Sequence, residues 1–152
     1  MDCPSDIFPR RRTMIERLPF VQGCFQEGLR VYPSAHMFTR APTEDTVLQV
    51  PSRQGGGVVP IRVPAGQVVT LDIVGMGYNP RVYKDPKSFN PARWLDPATE
   101  PLLNFSYRPR VCIGKKFAVV ESVCLLALLL RDYKIEPVLK GGQSIAGCMQ
   151  LG

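Results

Sequence analysis

The chain has 152 residues, of which 45% are hydrophobic, and it carries a formal net charge of +6. This length allows one modest domain with a core of its own. The five cysteines are an odd, widely spaced set without a Cys-x-x-Cys pair, which excludes a disulfide framework and a zinc site of the usual spacing. The basic run Arg10 to Arg12 is short and belongs to no nucleic-acid-binding motif, so no nucleic-acid partner is expected.

The predicted elements describe a mixed α+β chain that is mainly helical. Residues 1–17 form a poorly defined basic segment. A helix then begins at Pro19, which suits a first helical turn, and stops before Pro33. Runs rich in β-branched residues predict short strands at 37–40, 47–50, 58–63 and 68–74. The second and third are expected to form a hairpin across the glycine-rich turn 54–57, and the fourth to be the more buried strand.

The second half is predicted to hold one long helix. Five prolines between residues 79 and 101 forbid long regular elements there. A long apolar helix is expected over 113–131, a strand over 133–138 and a mobile turn over 141–147. Cys24 and Cys124 lie in apolar helical stretches and are expected in the core. The apolar run 118–130 is interrupted by Glu121 and is too short to span a bilayer.

The candidate functional residue is Cys112, within the stretch Phe105-Ser-Tyr-Arg-Pro-Arg-Val-Cys-Ile-Gly114. It lies just before the long helix, where free backbone N–H groups and the helix dipole stabilise a thiolate, and Arg110 adds a positive charge. Taken alone, such a cysteine would be a small buried apolar residue.

Two further patterns precede it in the chain. Glu27-Gly-Leu-Arg30 places a carboxylate and a guanidinium on one helical face, and Phe89-Asn-Pro-Ala-Arg93-Trp94 is a proline-bounded loop with an arginine among aromatic residues. Taken alone, the Glu27–Arg30 pair would be a solvated surface ion pair.

In this order the three patterns resemble the C-terminal third of the cytochrome P450 family of haem-thiolate monooxygenases, of the eukaryotic microsomal type, over residues 18–137. The resemblance implies the C-terminal part of that fold: the Glu-x-x-Arg helix, small β-hairpins, a proline-rich meander, the cysteine loop and the helix after it. Residues 18–152 would then be an incomplete haem-binding domain. The oxygen-activating helix and the membrane anchor of the family are expected upstream of Met1.

The resemblance also implies roles for individual residues. Cys112 would be the catalytic residue and the axial ligand of the haem iron. Other haem contacts would come from Arg40, Phe105, Arg110, Ile113, Gly114 and Ala118, with Arg40 and Arg110 on the propionates. A buried structural cluster would contain Glu27, Arg30 and Arg93. The candidate substrate contacts are Ala35, His36, Met37 and Phe38.

One residue departs from the pattern. Arg108 stands where the resembled loop has a glycine four residues before the cysteine. If Arg108 must adopt a positive φ, the loop is strained by about 1–2 kcal/mol. Arg108→Gly is therefore expected to improve haem retention.

The implied activity is insertion of one oxygen atom of O2 into an apolar small molecule, with haem b as cofactor. Electrons would come from NADPH through a reductase that docks on the basic face formed by Arg108, Arg110, Lys115 and Lys116. The parent protein would lie on the cytosolic face of the endoplasmic reticulum, anchored only through upstream sequence. One alternative is an inactive, truncated relative that does not hold haem alone. A less favoured one is a basic module that binds an acidic protein or a nucleic acid.

Overall fold

The computed structural model describes residues 17–52, 55–136 and 138. The basic run before residue 17, Gln54 of the predicted hairpin turn and the predicted turn 141–147 lie outside this part. The chain divides into two compact units, Met1–Ser34 together with Val74–Gly152, and Ala35–Ile73.

Helix α1 (Pro19–Val31) begins at the predicted proline and ends two residues before Pro33. Its buried residues are Gly23, Glu27, Arg30 and Val31, which fall on one face at spacings of four, three and one. This face carries a carboxylate and a guanidinium where most helices carry apolar side chains. The helix is therefore held in place largely by polar contacts.

The second unit contains two antiparallel two-stranded sheets. Strand β1 (Met37–Arg40) pairs with β4 (Val69–Asp72), and β2 (Thr46–Pro51) pairs with β3 (Val58–Val63). The register runs from Thr46 opposite Val63 to Pro51 opposite Val58, so the predicted hairpin is confirmed. Its turn contains Gly55, Gly56 and Gly57, all at positive φ, a conformation that glycine adopts without steric cost.

The strand predicted over 68–74 is shorter and less buried than expected. It covers Val69–Asp72, with Val69 half-buried and the next three residues exposed. Because β1 is four residues long, the ladder has four rungs and ends where Met37 faces Asp72. The chain then enters the short helix α2 (Ile73–Gly77).

The proline-rich segment after α2, residues 79–101, is called the meander below; it contains the 3-10 helix Pro91–Leu95, and a second 3-10 helix, Leu103–Phe105, follows it. The prediction that this segment contains no long regular element is confirmed. Helix α3 (Lys115–Asp132) follows, two residues later than expected, because Gly114 is its N-cap and Ile113 lies in the preceding turn. The strand predicted over 133–138 is wrong for residues 133–136, which have no regular structure. A strand needs a partner, and the four strands in the described part of the chain pair with one another.

Helix α3 is apolar on several sides, and of its residues Val123 is the buried one. Large apolar side chains stay exposed along it: Phe117, Val120, Leu125, Leu128, Leu129 and Leu130. Cys124 is also exposed, so its predicted place in the core is wrong, whereas Cys24 is half-buried. Of the helices that the structure describes, none is long and apolar enough to cross a membrane.

Candidate functional site

The structure brings together the three charged residues of the expected cluster. The Glu27 carboxylate accepts hydrogen bonds from Arg30 Nε at 3.0 Å and Arg30 Nη2 at 2.8 Å, which makes a two-pronged ion pair. Arg93 Nε donates to Glu27 Oε1 at 3.1 Å from a loop 66 residues away. The Glu27 and Arg30 side chains are fully buried, and 8% of the Arg93 side chain is exposed.

Two neutral donors complete the shell of Glu27. The backbone N–H of Asn90 donates to Oε1 at 2.9 Å, and the indole Nε1 of Trp94 donates to Oε2 at 2.9 Å. Five donors thus converge on one carboxylate, which has about four lone-pair sites. A carboxylate so fully satisfied can stay ionised in a buried place.

The cluster holds two guanidinium groups and one carboxylate, so it carries an excess positive charge. Arg30 directs that charge onto backbone carbonyls, donating to Gly77 O at 2.6 Å and Pro86 O at 2.7 Å. The buried ring of Tyr83 lies 5.6 Å from the Arg30 guanidinium carbon and 6.0 Å from that of Arg93, within cation–π range of both. Carbonyl dipoles and an aromatic face therefore offset the second cation.

The cluster also sets the protonation of its members. Burial by itself would raise the pKa of Glu27, but hydrogen bonds from Arg30, Asn90 and Trp94, with the charge of Arg30, outweigh it and lower the pKa below its ordinary value. Burial raises the pKa of the Tyr83 hydroxyl. Glu27 is therefore ionised and Tyr83 neutral at physiological pH.

The sequence interpretation missed the Trp94 and Asn90 contacts. Asn90 caps the 3-10 helix Pro91–Leu95 by accepting from Ala92 N at 3.1 Å, a local turn that an Asn-Pro pair favours. That turn carries both Arg93 and Trp94. The Asn-Pro pair was a usable signal for a turn here, but sequence spacing gave no sign of where the indole would point.

The cysteine loop closes on itself before α3. Cys112 N donates to Phe105 O at 2.8 Å, and Arg110 N donates to Tyr107 O at 3.0 Å. Lys115 N then donates to Cys112 O at 3.2 Å, which leads the chain into the first turn of α3. The loop places an exposed thiol immediately before a helix N-terminus.

Backbone strain in this loop lies at Ser106. Ser106 has φ 60° and ψ −176°, a region occupied almost only by glycine. The other positive φ of a non-glycine residue in the described part of the chain is that of Asp85. Arg108 has no positive φ, so the condition under which it would strain the loop is not met, and the sharp change of direction lies two residues earlier.

The residues around Cys112 suit a haem group. Among the described residues, no set of three or more His, Cys, Asp or Glu side chains could hold a bare metal ion, whereas a haem iron needs only one protein thiolate of the kind that Cys112 offers. Gly114 lies beside the sulfur, since a Cβ added there would be in van der Waals contact with the Cys112 Sγ at 3.8 Å. Ile113 and Phe117 present exposed apolar side chains suited to a flat macrocycle.

The remaining predicted site residues are distributed as follows. Phe105 ends a 3-10 helix and is half-buried, as is Ala118 in the first turn of α3, while Arg110 is exposed. The predicted substrate contacts at 35–38 and Arg40 lie in the second unit, where Arg40 ends β1. Its guanidinium donates to Thr39 O at 2.8 Å and lies 5.8 Å from the Phe38 ring centroid. A contact between Arg40 and a haem propionate stays a prediction.

The described site and fold match one family. The family model named Cytochrome P450 matches residues 7–145. A mitochondrial cholesterol side-chain cleavage enzyme from Hypanus americanus is 36% identical over 125 residues, covering 81% of this chain and 22% of the relative. Cytochrome P450 monooxygenase 124 of Postia placenta is 32% identical over 136 residues, covering 88% of this chain and 26% of the relative. Human cytochrome P450 4F12 is 36% identical over 129 residues, covering 81% and 23%.

Solved structures agree on the fold. Cyanobacterial CYP120A1 with bound retinoic acid is similar with a TM-score of 0.65 and 24% identity, covering 78% of this chain and 27% of that chain. A zebrafish cytochrome P450 with abiraterone gives a TM-score of 0.63 at 24% identity, covering 83% and 28%. The chain belongs to the cytochrome P450 family of haem-thiolate monooxygenases. It spans about a quarter of the length of the relatives it matches.

Proposed function

We propose that this chain is the haem-binding, C-terminal part of a monooxygenase that inserts one oxygen atom of O2 into an apolar small molecule. The observation that carries the proposal is Cys112, an exposed thiol directly before helix α3 in the loop that the family uses for the iron. Haem b would be held by Cys112 as iron ligand, by Arg110 and Arg40 through its propionates, and by contacts with Phe105, Ile113, Gly114 and Ala118. When bound, the haem group supplies the activation of molecular oxygen.

The chain's own residues have three tasks in this proposal. Cys112 would supply an anionic ligand, and the exposed apolar side chains beside it would pack on the haem group and shield the sulfur from water once that group is bound. The guanidinium groups neutralise and orient the propionates through paired hydrogen bonds. Glu27, Arg30 and Arg93 keep the loop's scaffold in place. Ala35, His36, Met37 and Phe38 would line the substrate side.

Electrons would come from NADPH through a reductase on the basic face of Arg108, Arg110, Lys115 and Lys116, all of which are exposed. Charge steering predicts that association slows as salt is added, because screening shortens the range of the attraction. Lys116→Glu should slow association at low salt and weaken its salt dependence, and Lys87→Glu, in the exposed meander, should leave both unchanged. Equal effects of the two substitutions would exclude this docking face.

The proposal also places the parent protein at the cytosolic face of the endoplasmic reticulum.

A second candidate is an inactive relative that does not hold haem alone. The exposure of Cys112, Ile113 and Phe117 favours it, since a haem resting on these residues would be covered from one side only by the described part of the chain.

Haem reconstitution distinguishes the two candidates. The purified chain is mixed with haem, reduced and exposed to carbon monoxide, with Cys112→Ala as the test variant and Cys124→Ala, an exposed thiol on α3, as the matched control. Haem-thiolate binding gives a strongly red-shifted Soret band in the wild type and in Cys124→Ala, and none in Cys112→Ala. Absence of the band from all three supports the inactive relative.

A further inference from the structure

Asn104 connects the cysteine loop to the helix of the ion cluster. It lies in the 3-10 helix Leu103–Phe105, and its side-chain Nδ2 donates to the carbonyl of Leu29 at 2.7 Å, across 75 residues of sequence. Leu29 lies in the last turn of α1, one residue before Arg30.

The carbonyl of Leu29 needs such a donor. In an α-helix it would accept from the N–H of the residue four positions later, and that residue is Pro33, which has no N–H. The neighbouring carbonyl of Gly28 is satisfied by Tyr32 N at 2.8 Å, and that of Val31 accepts from the Tyr78 hydroxyl at 3.4 Å. Asn104 thus replaces the backbone donor that the proline removes, and a residue whose side chain has no hydrogen-bond donor could not complete α1 in this way.

The same residue adjoins the anchor of Cys112. Asn104 directly precedes Phe105, whose carbonyl accepts from Cys112 N at 2.8 Å. The bonds from Ser106 N to Leu103 O at 2.7 Å and from Arg110 N to Tyr107 O at 3.0 Å are local turns that shape the loop. The contact from Asn104 to Leu29 joins the base of this loop to the end of α1.

We propose that Asn104 is a positioning residue for Cys112, which fixes the base of the cysteine loop to the end of the helix that carries Glu27 and Arg30. The proposal deepens the proposed haem-thiolate function and rests on it for the meaning of the loop position. The attachment of the loop is a property of the haem-free chain and can be measured there.

Amide hydrogen exchange of the haem-free 152-residue chain tests the attachment. Asn104→Ala removes the donor, Asn104→Asp keeps the shape with an acceptor in its place, and Asn104→Gln keeps a donor. Exchange in the segment 105–112 is expected to rise about tenfold in the Ala and Asp variants, as loss of one partly buried hydrogen bond implies, and less in Gln. Asn79→Ala, whose side chain makes a local turn with Arg81 N, is the control and should leave the loop unchanged.

Several results of the exchange experiment would overturn the proposal. One is loop exchange in Asn104→Ala and Asn104→Asp that equals the wild type. Another is a rise of equal size over α1, the meander and the loop, which marks a general stabilising contact. If the Ala variant does not fold, the Asp and Gln variants decide, because they differ in the ability to donate; equal exchange in these two also refutes it.

A spectroscopic arm separates this proposal from the function itself. In haem-reconstituted protein, the fraction of bound haem that gives the red-shifted carbon monoxide band should be lower in Asn104→Asp than in the wild type, and close to the wild-type fraction in Asn104→Gln. If the wild type takes up no haem, the proposed function fails while the exchange experiment still decides the role of Asn104. If the wild type shows the band and the variants do not differ, positioning of the thiolate by Asn104 is refuted.

Discussion

At the scale of single residues, Glu27 and Ser106 occupy the two most unusual positions: a buried charge and a backbone conformation that is almost exclusive to glycine. Glu27 is fully buried and joins α1 to the meander through bonds to Asn90, Arg93 and Trp94. Ser106 holds the sharp change of direction that starts the cysteine loop. One residue stabilises the scaffold and the other strains the loop, so substitutions at the two should act in opposite directions.

Glu27→Gln should destabilise the chain by about 3–5 kcal/mol, because it leaves two buried guanidinium groups without their counter-ion. Glu121→Gln, at an exposed position of α3, is the matched control and should cost less than about 0.5 kcal/mol. The measurement is urea unfolding followed by circular dichroism. Similar midpoints for the two variants would show that the cluster does not carry this stability.

The same residue predicts a pH dependence of unfolding. The pKa of Glu27 is lowered in the folded chain from an ordinary value of 4.5, so the unfolded chain binds the proton more readily. The stability that Glu27 contributes is therefore complete above the unfolded pKa and disappears as the pH falls through the lower, folded pKa. Urea midpoints from pH 6 downward should fall less steeply in Glu27→Gln than in the wild type, and parallel curves would contradict this assignment.

Ser106→Gly should stabilise the chain by about 1 kcal/mol. Relief of a glycine-only backbone conformation is worth about 1–3 kcal/mol, and the added freedom of glycine in the unfolded chain costs about 0.5–1 kcal/mol. Arg108→Gly is the control, because Arg108 lacks a positive φ and should gain nothing. The midpoint temperatures of thermal unfolding of both variants test this prediction. If the midpoint rises in Arg108→Gly and not in Ser106→Gly, the strain lies at Arg108 and not at Ser106.

At the scale of elements, α1 approaches the 3-10 helix Pro91–Leu95 so closely that one position admits only glycine. A Cβ added at Gly23 would lie 2.6 Å from Pro91 O, and one at Gly77 would lie 2.5 Å from Arg30 O. Both partners are backbone atoms, which cannot rotate away. The absence of a side chain at Gly23 therefore lets α1 and the meander approach closely enough for Glu27 to reach Asn90 and Trp94.

Two glycine substitutions in α1 test whether the helix and Pro91 are in close contact at Gly23. Gly23→Ala should destabilise the chain by about 1–3 kcal/mol through overpacking. Gly28→Ala, five residues later in the same helix with nothing within 4 Å, should stabilise it by about 1 kcal/mol through helix propensity. If urea unfolding showed that both substitutions raise the free energy of unfolding by the same amount, α1 and the meander would not be in contact at Gly23.

Much of the element pattern was predictable from sequence, for identifiable reasons. Pro19, the β-branched runs of β2 and β3 and the prolines of the meander are local signals, and they determined α1, the hairpin and the absence of long elements between residues 79 and 101. The errors at 73–74 and 133–136 arose because a strand depends on its partner, whose length and existence are not local properties. The contacts of Trp94 and Asn104 with α1 span 67 and 75 residues, and no local pattern encodes them.

At the scale of the whole molecule, each of the two units buries few apolar side chains among the described residues. The buried hydrophobic residues of the described part are Val31, Val63, Ile73, Tyr83 and Val123, and two of its largest fully buried side chains are Arg30 and Glu27. Helix α3 meanwhile exposes 63% of Leu125 and 51% of Leu128. A helix that is apolar on several sides is normally covered by other elements.

The exposed side of α3 predicts association of the chain with itself. Leu125→Lys combined with Leu128→Lys should lower the weight-average molar mass that analytical ultracentrifugation gives at a fixed protein concentration, because charge replaces the apolar patch. The helical content should stay unchanged. Glu121→Lys is the control, since it adds a positive charge to the same helix without removing an apolar side chain. A wild-type chain that stays monomeric over the concentration range would refute the prediction.

The bond between Trp94 and Glu27 has a practical consequence. Trp94 is the sole tryptophan of the chain, so its fluorescence comes from one indole, which donates to the central carboxylate of the cluster. Emission wavelength and quenching therefore report directly on whether that carboxylate is in place and ionised. The chain contains its own optical probe of the scaffold beneath the cysteine loop.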